Sequence, residues 1–300
     1  MKSFLRKFGS GCWTLGFVRG GMLSLMEYDT YQVDWVEVPK DRWFADPFIL
    51  DVTDDEIHLL VEDYPYTTQK GIISLLKIDC QTYKIISRKE ILELPTHLSF
   101  PNIIRRDGKI YIYPESAKSG KLDVYEFDSL KEEVSYKPTI CNDSIWDSDI
   151  TELFGRPMLF TAAHNDKQLD IYAWDDSKQR FVSKYVVPSD NKNSRLGGKI
   201  FEYKGRVYYP AQDCEGDYGA AIDIKEILFS DDQFYTTELK KIKSNHPKHR
   251  RGLHTINEYK GIVVIDVHGY RYGWIGKAIS TLVNLKKRIK QFSQNNKWNK

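Results

Sequence analysis

The chain has 300 residues, 41% hydrophobic and 13% aromatic, enough to bury a core without disulfide staples. Lysine and arginine total 44 against 42 aspartates and glutamates, a formal net charge of +2. With no basic excess to release counterions, a protein that coats nucleic acid is excluded. Mean hydropathy is −0.51, and no run of about eighteen apolar residues occurs, so no membrane-spanning helix is expected.

The N-terminal stretch Met1 to Phe8 is basic but has no apolar segment after it, so no export signal is expected. Cys12, Cys80, Cys141 and Cys214 lie far apart and form no C-x-x-C, which argues against structural zinc. A cytoplasmic location with reduced thiols is the resulting expectation.

Two strand-like segments come first, Cys12 to Val18 and Gln32 to Val38. A pattern then recurs: a short apolar strand, a tight turn with Gly or Asp, and a second β-branched and aromatic strand. Asp46 to Asp55 leads into Ile57 to Glu62, and Pro101 to Gly108 into Lys109 to Glu115. Asp147 to Gly155 leads into Arg156 to Thr161, Gly198 to Gly205 into Arg206 to Pro210, and His254 to Gly261 into Ile262 to Asp266. The turns at Asp55, Gly108, Gly155, Gly205 and Gly261 recur roughly every 50 residues, the period of a four-stranded propeller blade.

The first three units each carry two more strands: Ile72 to Ile78 and Lys84 to Arg88, Lys121 to Phe127 and Glu133 to Tyr136, Leu169 to Trp174 and Arg180 to Tyr185. The fifth unit shows only two strands, and the two leading segments complete it. The sequence therefore predicts an all-β, five-bladed β-propeller over residues 1–272, its fifth blade closed by residues 12–38, which removes the open sheet edge. A pair of β-sandwiches is the competing reading.

Residues 273–300 form a second unit, a C-terminal helix and tail. Ile275, Ala278, Ile279, Leu282, Leu285, Ile289 and Phe292 share one helical face, flanked by Lys277, Lys286, Lys287, Arg288 and Lys290. Such a basic amphipathic helix suits peripheral contact with an anionic membrane through residues 275–292; docking on the propeller flank is the alternative.

In a propeller the starts of the inner strands converge at one mouth. Here they bring Asp46, Phe100, Asp147, Gly197 and His254 together. Asp46, between aromatics and Pro47, is a candidate base, with turn capping as the alternative. Asp147 and Asp149 should share a side by strand alternation, and their repulsion would separate an acid from a base. Glu62, Glu115, Gln212 and Asp213 end second strands and line the mouth with acceptors. Trp43 offers an aromatic face, and Arg195 and Lys199 offer charge for a phosphate. His97 precedes the second inner strand and His254 opens the fifth. No dinucleotide, phosphate-loop, zinc-protease or nucleophile-elbow motif occurs.

These residues fall in Trp43-Phe-Ala-Asp-Pro-Phe, His97-Leu-Ser-Phe-Pro-Asn, Tyr113-Pro-Glu-Ser, Tyr209-Pro-Ala-Gln-Asp-Cys with Tyr218-Gly219, and Gly252-Leu-His-Thr-Ile-Asn with Val264-Ile-Asp-Val-His268. As a set they resemble the N-terminal propeller domain of plant glucosamine inositolphosphorylceramide transferases and its free-standing bacterial relatives. More distantly they resemble the five-bladed propellers of glycoside hydrolase family 43. The resemblance implies a glycan-active propeller in which Asp46 matches the base and Asp147 the carboxylate that tunes and positions. It implies an acid where this chain has Gln212-Asp213; Glu115 could substitute from another blade. It also allows calcium near His254.

The leading expectation is a glycosyltransferase, or the partner of one, in cell-surface polysaccharide synthesis at the inner membrane face. Its substrate would be a nucleotide-sugar or lipid-linked glycan. A family 43-like glycoside hydrolase and a non-catalytic glycan-binding scaffold are the alternatives.

Overall fold

A computed structural model describes residues 11–281, apart from Phe154, His164, Asp190, Trp274, Lys277 and Ser280. The first strand, β1 (Gly11–Val18), is followed by a short helix α1 (Gly21–Glu27) and β2 (Val33–Trp35). Blade 1 is β3 (Arg42–Val52), β4 (Glu56–Pro65), β5 (Ile72–Asp79) and β6 (Ile85–Leu92). Blade 2 is β7 (Ser99–Arg106), β8 (Lys109–Glu115), β9 (Leu122–Asp128) and β10 (Glu133–Cys141). Blade 3 is β11 (Trp146–Leu153), β12 (Arg156–Ala162), β13 (Gln168–Asp175) and β14 (Arg180–Pro188). Blade 4 is β15 (Phe201–Tyr203), β16 (Arg206–Asp213), β17 (Ala221–Ser230) and β18 (Gln233–Ile242), and β19 (Ile256–Tyr259) and β20 (Ile262–Tyr270) follow.

Each of the five sheets has four antiparallel strands, and the last runs β19-β20-β1-β2. The ring is thus a five-bladed propeller closed by the first strands, as the pattern predicted. Gly11 to Val18 pair in unbroken register with Tyr270 to Val263. The outer strands of blade 4 and the helix α1, which buries Leu25 and Met26, were not foreseen. Of the predicted C-terminal helix, Gly273, Ile275, Gly276, Ala278, Ile279 and Thr281 have helical backbone; most of residues 274–292 lies outside the described residues, as does Met1 to Phe8.

The core lies between blades, where the alternating apolar residues of neighbouring sheets meet. Phe48, Phe100, Phe160 and Tyr209 are fully buried in one such cluster, with the Phe48 and Phe100 rings edge-on at 4.8 Å. Each large side chain so buried contributes roughly 2 kcal/mol.

One local device positions the mouth. In blades 1, 2 and 3 the inner strand carries one extra residue against its partner, between Ala45 and Phe48, Ser99 and Asn102, and Trp146 and Asp149. At these bulges Asp46, Phe100 and Asp147 adopt left-handed backbone, with φ of 47°, 44° and 41°. Three non-glycine residues held there cost of order 1–3 kcal/mol each, which the surrounding packing must offset. The bulges turn Asp46 and Asp147 from the strand faces into the polar centre of the ring.

Candidate functional site

Asp46 is fixed on every side. Its N–H donates to Asp266 Oδ2 at 2.9 Å. Its Oδ2 accepts the Phe100 N–H at 3.0 Å and its Oδ1 the Thr255 hydroxyl at 2.8 Å. Asp266 Oδ1 accepts the Thr255 N–H at 2.9 Å and lies 2.8 Å from His254 Nδ1; His254 Nε2 lies 3.6 Å from Asp46 Oδ1. His254 therefore faces a carboxylate at each nitrogen and stacks on Trp13 with centroids 3.8 Å apart. Burial works against the imidazolium, but Asp266 and Asp46 outweigh it and push His254 up to about 9. Burial raises Asp46 to about 6, with repulsion from Asp147 and Asp266 adding and His254 opposing.

Across the ring, Arg195 joins Asp147 to Glu115. Its Nε donates to Asp147 Oδ2, and one terminal nitrogen donates to Glu115 Oε2 at 3.2 Å. Gln212 Nε2 also donates to Asp147 Oδ2, at 2.6 Å, and to Leu196 O at 2.7 Å; Gln212 Oε1 is buried without a partner among the described residues. The guanidinium sits 5.4 Å from the Trp146 ring and 5.5 Å from the Tyr218 ring. Burial disfavours the Asp147 anion, yet Arg195 overrides it and holds the carboxyl below its usual range. Glu115 is raised well above its usual range by burial and by Asp147, so of this pair Glu115 keeps the proton.

On the blade 1 side, Glu62 sits opposite Ala45 in the ladder and Tyr64 opposite Trp43. Trp43 and Tyr64 stack with centroids 4.4 Å apart and an interplanar angle of 5°. His97 Nε2 lies 3.1 Å from Glu62 Oε1. Burial, with Asp46 adding repulsion, raises Glu62 well above the carboxylate range, and burial lowers His97.

The structure thus gathers Asp46, Glu62, His97, Glu115, Asp147, Arg195, Gln212 and His254, with Trp43 beside them. Three candidates lie elsewhere. Lys199 Nζ donates to Asn102 Oδ1 at 3.1 Å, Ile103 O at 3.0 Å and Asp149 Oδ1 at 3.1 Å. All three of its hydrogens are committed to holding blades together, so it has none for a phosphate. Asp149 binds that lysine, the Ile200 N–H at 2.8 Å and the Asn102 amide at 2.9 Å, and it shares no partner with Asp147. The bulge between Trp146 and Asp149 breaks the alternation that would have paired them, and the proton is separated between Asp147 and Glu115 instead. Asp213, one residue beyond inward-facing Gln212, turns out to Lys241 at 2.6 Å.

Asp266, Thr255, Trp13 and Tyr218 were missed. Thr255, Tyr218 and Asp266 fall within the quoted motifs without being assigned a role, and Asp266 left the plainest trace, a carboxylate amid the β-branched run Ile262 to Val267.

Asp46, His254 and Asp266 bring three ligand-type atoms within 4.8 Å of one another. They do not fit calcium, which takes about six to eight oxygen ligands. The carboxylate oxygens already accept N–H and O–H groups.

Residues 33–272 match the family described as glucosamine inositolphosphorylceramide transferase 1, N-terminal. The chain is 26% identical over 202 residues to glucosamine inositolphosphorylceramide transferase 1 of Oryza sativa subsp. japonica, covering 62% of this chain and 26% of that protein. It is 26% identical over 212 residues to its Arabidopsis thaliana counterpart, covering 66% and 27%. The chain therefore spans about a quarter of the length of these relatives. Among solved structures it is similar to CoXyl43, a GH43 beta-xylosidase/alpha-arabinofuranosidase from a compost metagenome, with a TM-score of 0.54 at 13% identity over 77% of this chain and 92% of that one. It is also similar to a GH43_1 enzyme from Xanthomonas citri, with a TM-score of 0.53 at 12% identity over 77% and 88%. At these identities the likeness concerns the fold.

Proposed function

Because the chain belongs to the family of the N-terminal region of glucosamine inositolphosphorylceramide transferase 1, we propose that its axial site handles a sugar and that the protein serves glycosyl transfer in building cell-surface polysaccharide. The observation that carries this reading is the opposite proton affinity of two carboxyls at equivalent bulges. Asp147 is held ionised, while Asp46 titrates near 6, the value wanted of a base at neutral pH.

In the proposed step Asp46 takes the proton of an acceptor hydroxyl as its oxygen attacks the sugar C1. The bond from C1 to a phosphate leaving group breaks, and Arg195 steadies the developing charge. Two of its N–H groups go to Asp147 and Glu115, which leaves donors for a phosphate oxygen. Hydrolysis by the family 43 route is less well supported, because Gln212, an amide, stands beside Asp147.

Incubation with nucleotide-sugar and lipid-linked acceptor panels tests the reading. Transfer should fall by about a hundredfold in Asp46→Asn. No transfer by the wild type, with polysaccharide production unaffected by Asp46→Asn, overturns it. Release of free sugar from aryl glycosides would select a hydrolase instead.

A second reading has support in the length of the relatives. With about three quarters of their chain outside the matched segment, transfer chemistry can reside there while the propeller recognises the glycan. Calorimetric binding without turnover selects this one. A peripheral position on the inner membrane face belongs to the proposal and rests on the basic pattern of residues 275–292. Salt-sensitive co-sedimentation with phosphatidylglycerol vesicles tests it.

A further inference from the structure

Among the described residues five carboxyls surround the axis, and four have a cation. Arg195 serves Asp147 and Glu115, and His254 serves Asp46 and Asp266. Glu62 has only His97, and the backbone decides which form of His97 it meets. The Gly71 N–H donates to His97 Nδ1 at 2.9 Å. A nitrogen that accepts a hydrogen bond carries no hydrogen, so the ring is neutral and its one hydrogen is on Nε2, the atom next to Glu62 Oε1. Position 71 has to be glycine for this to hold: a Cβ there would come within 2.3 Å of Leu98 O, 2.7 Å of His97 Cε1 and 2.9 Å of Glu62 Oε1.

The Nε2 hydrogen lies beside Oε1, so the carboxyl proton sits on Oε2. Among the described residues no group hydrogen-bonds to the Glu62 carboxyl, and His97 is its one close polar neighbour. Its side chain, 7% exposed, lies on the same blade face as the stacked Trp43 and Tyr64, two ladder positions on.

We propose that Glu62 stands at the axis as a hydrogen-bond donor, reading through Oε2 a substrate oxygen that bears no hydrogen, such as a sugar ring, glycosidic or phosphoryl oxygen. This reverses the expectation that Glu62 is one of several acceptors for sugar hydroxyls. It deepens the axial-site reading and rests on it. The upward shift of Glu62, caused first by burial and then by Asp46, agrees with the proton count. His97 is a positioning residue, which fixes the oxygen that keeps the proton.

Glu62→Gln separates donor from acceptor. Its amide oxygen can face the His97 hydrogen while its N–H₂ group replaces the acid hydrogen at the axis. Calorimetry with methyl glycosides of glucose, galactose and xylose should give binding within about threefold of wild type for Glu62→Gln and at least about tenfold weaker for Glu62→Ala. Loss of binding in Glu62→Gln equal to that in Glu62→Ala overturns the proposal. A second measurement needs no ligand. The infrared difference spectrum of wild type minus Glu62→Gln at pH 7 should show the carbonyl band of a protonated carboxyl, and His97→Leu should shift that band without removing it. Absence of the band overturns the donor state alone. If the wild type binds none of these glycosides, the axial reading falls and takes the recognition role with it.

Discussion

Asp46 and Asp147 occupy the same place in two blades. Each sits within the same one-residue bulge, each has left-handed backbone, and each is almost wholly buried. Yet burial drives Asp46 up to about 6 while Asp147 is held below its usual range. The difference lies in the partner that each blade receives from elsewhere. Asp147 meets the guanidinium of Arg195, whereas Asp46 faces an imidazolium that it must share with Asp266. A propeller repeats the backbone, so equivalent positions acquire different chemistry only through what the neighbouring blades place opposite them.

The strongest way to break this contrast is Arg195→Met. It leaves Asp147 and Glu115 without their cation, and removing one partner of a buried ion pair costs about 3–5 kcal/mol. Urea unfolding should show a loss of that size, and Asp147 should then titrate upward, towards Asp46. A loss indistinguishable from that of a surface substitution would mean that Arg195 does not distinguish the two sites.

His254→Gln tests the other side through pH. His254 is raised to about 9 in the folded protein, above an unfolded value of about 6.5. Its contribution is fully present below the lower value and lost as pH rises through the upper one, so wild-type stability should decline between about pH 6.5 and 9 by a few kcal/mol. Asp46 adds an earlier decline, because a carboxyl raised from 3.8 to about 6 is costly to ionise, and stability falls as pH climbs between those values. In His254→Gln the later decline should vanish. The Asp46 transition, followed by carboxyl NMR, should move above 6.

Tyr113→Phe sharpens the comparison at smaller scale. The buried hydroxyl donates to Asp149 Oδ1 at 3.3 Å and accepts the Ile150 N–H at 3.1 Å, so the loss should be about 1–2 kcal/mol, with the Asp46 and Asp147 titrations unmoved. At the far end, Arg19→Ala removes an exposed pair with Asp34, and the urea midpoint should not change.

The ring was legible because its signals are local. Hairpin turns at Gly108, Gly155, Gly205 and Gly261 carry positive φ, the backbone that glycine adopts without strain, and their spacing marked the blades. The outer strands of blade 4 escaped notice because charged Asp223 and Lys225 lie on their buried stretch, which disguises a strand as a surface segment. The site was legible only in half. Asp46, Glu62, Glu115, Asp147 and His254 lie towards the axial mouth of successive strands, which register alone brings together. The register shift behind Asp149, the outward turn of Asp213 and the commitment of Lys199 to three acceptors depend on single-residue geometry that no periodicity records. Asp266 reaches Asp46 across 220 residues, a separation at which a single sequence holds no pairing signal.

The pairing of Gly11–Val18 with Val263–Tyr270 has a consequence for synthesis. As the ribosome extrudes the chain from its N-terminus, the earliest strand emerges long before its partner exists. It must wait, with its apolar residues uncovered, until blades 1 to 4 and then β20 have followed. Those blades can form in turn from neighbouring hairpins, but Trp13 cannot settle against His254 until that late segment has been made. A nascent chain halted before Ile262 should therefore be captured by holdase chaperones through this stretch.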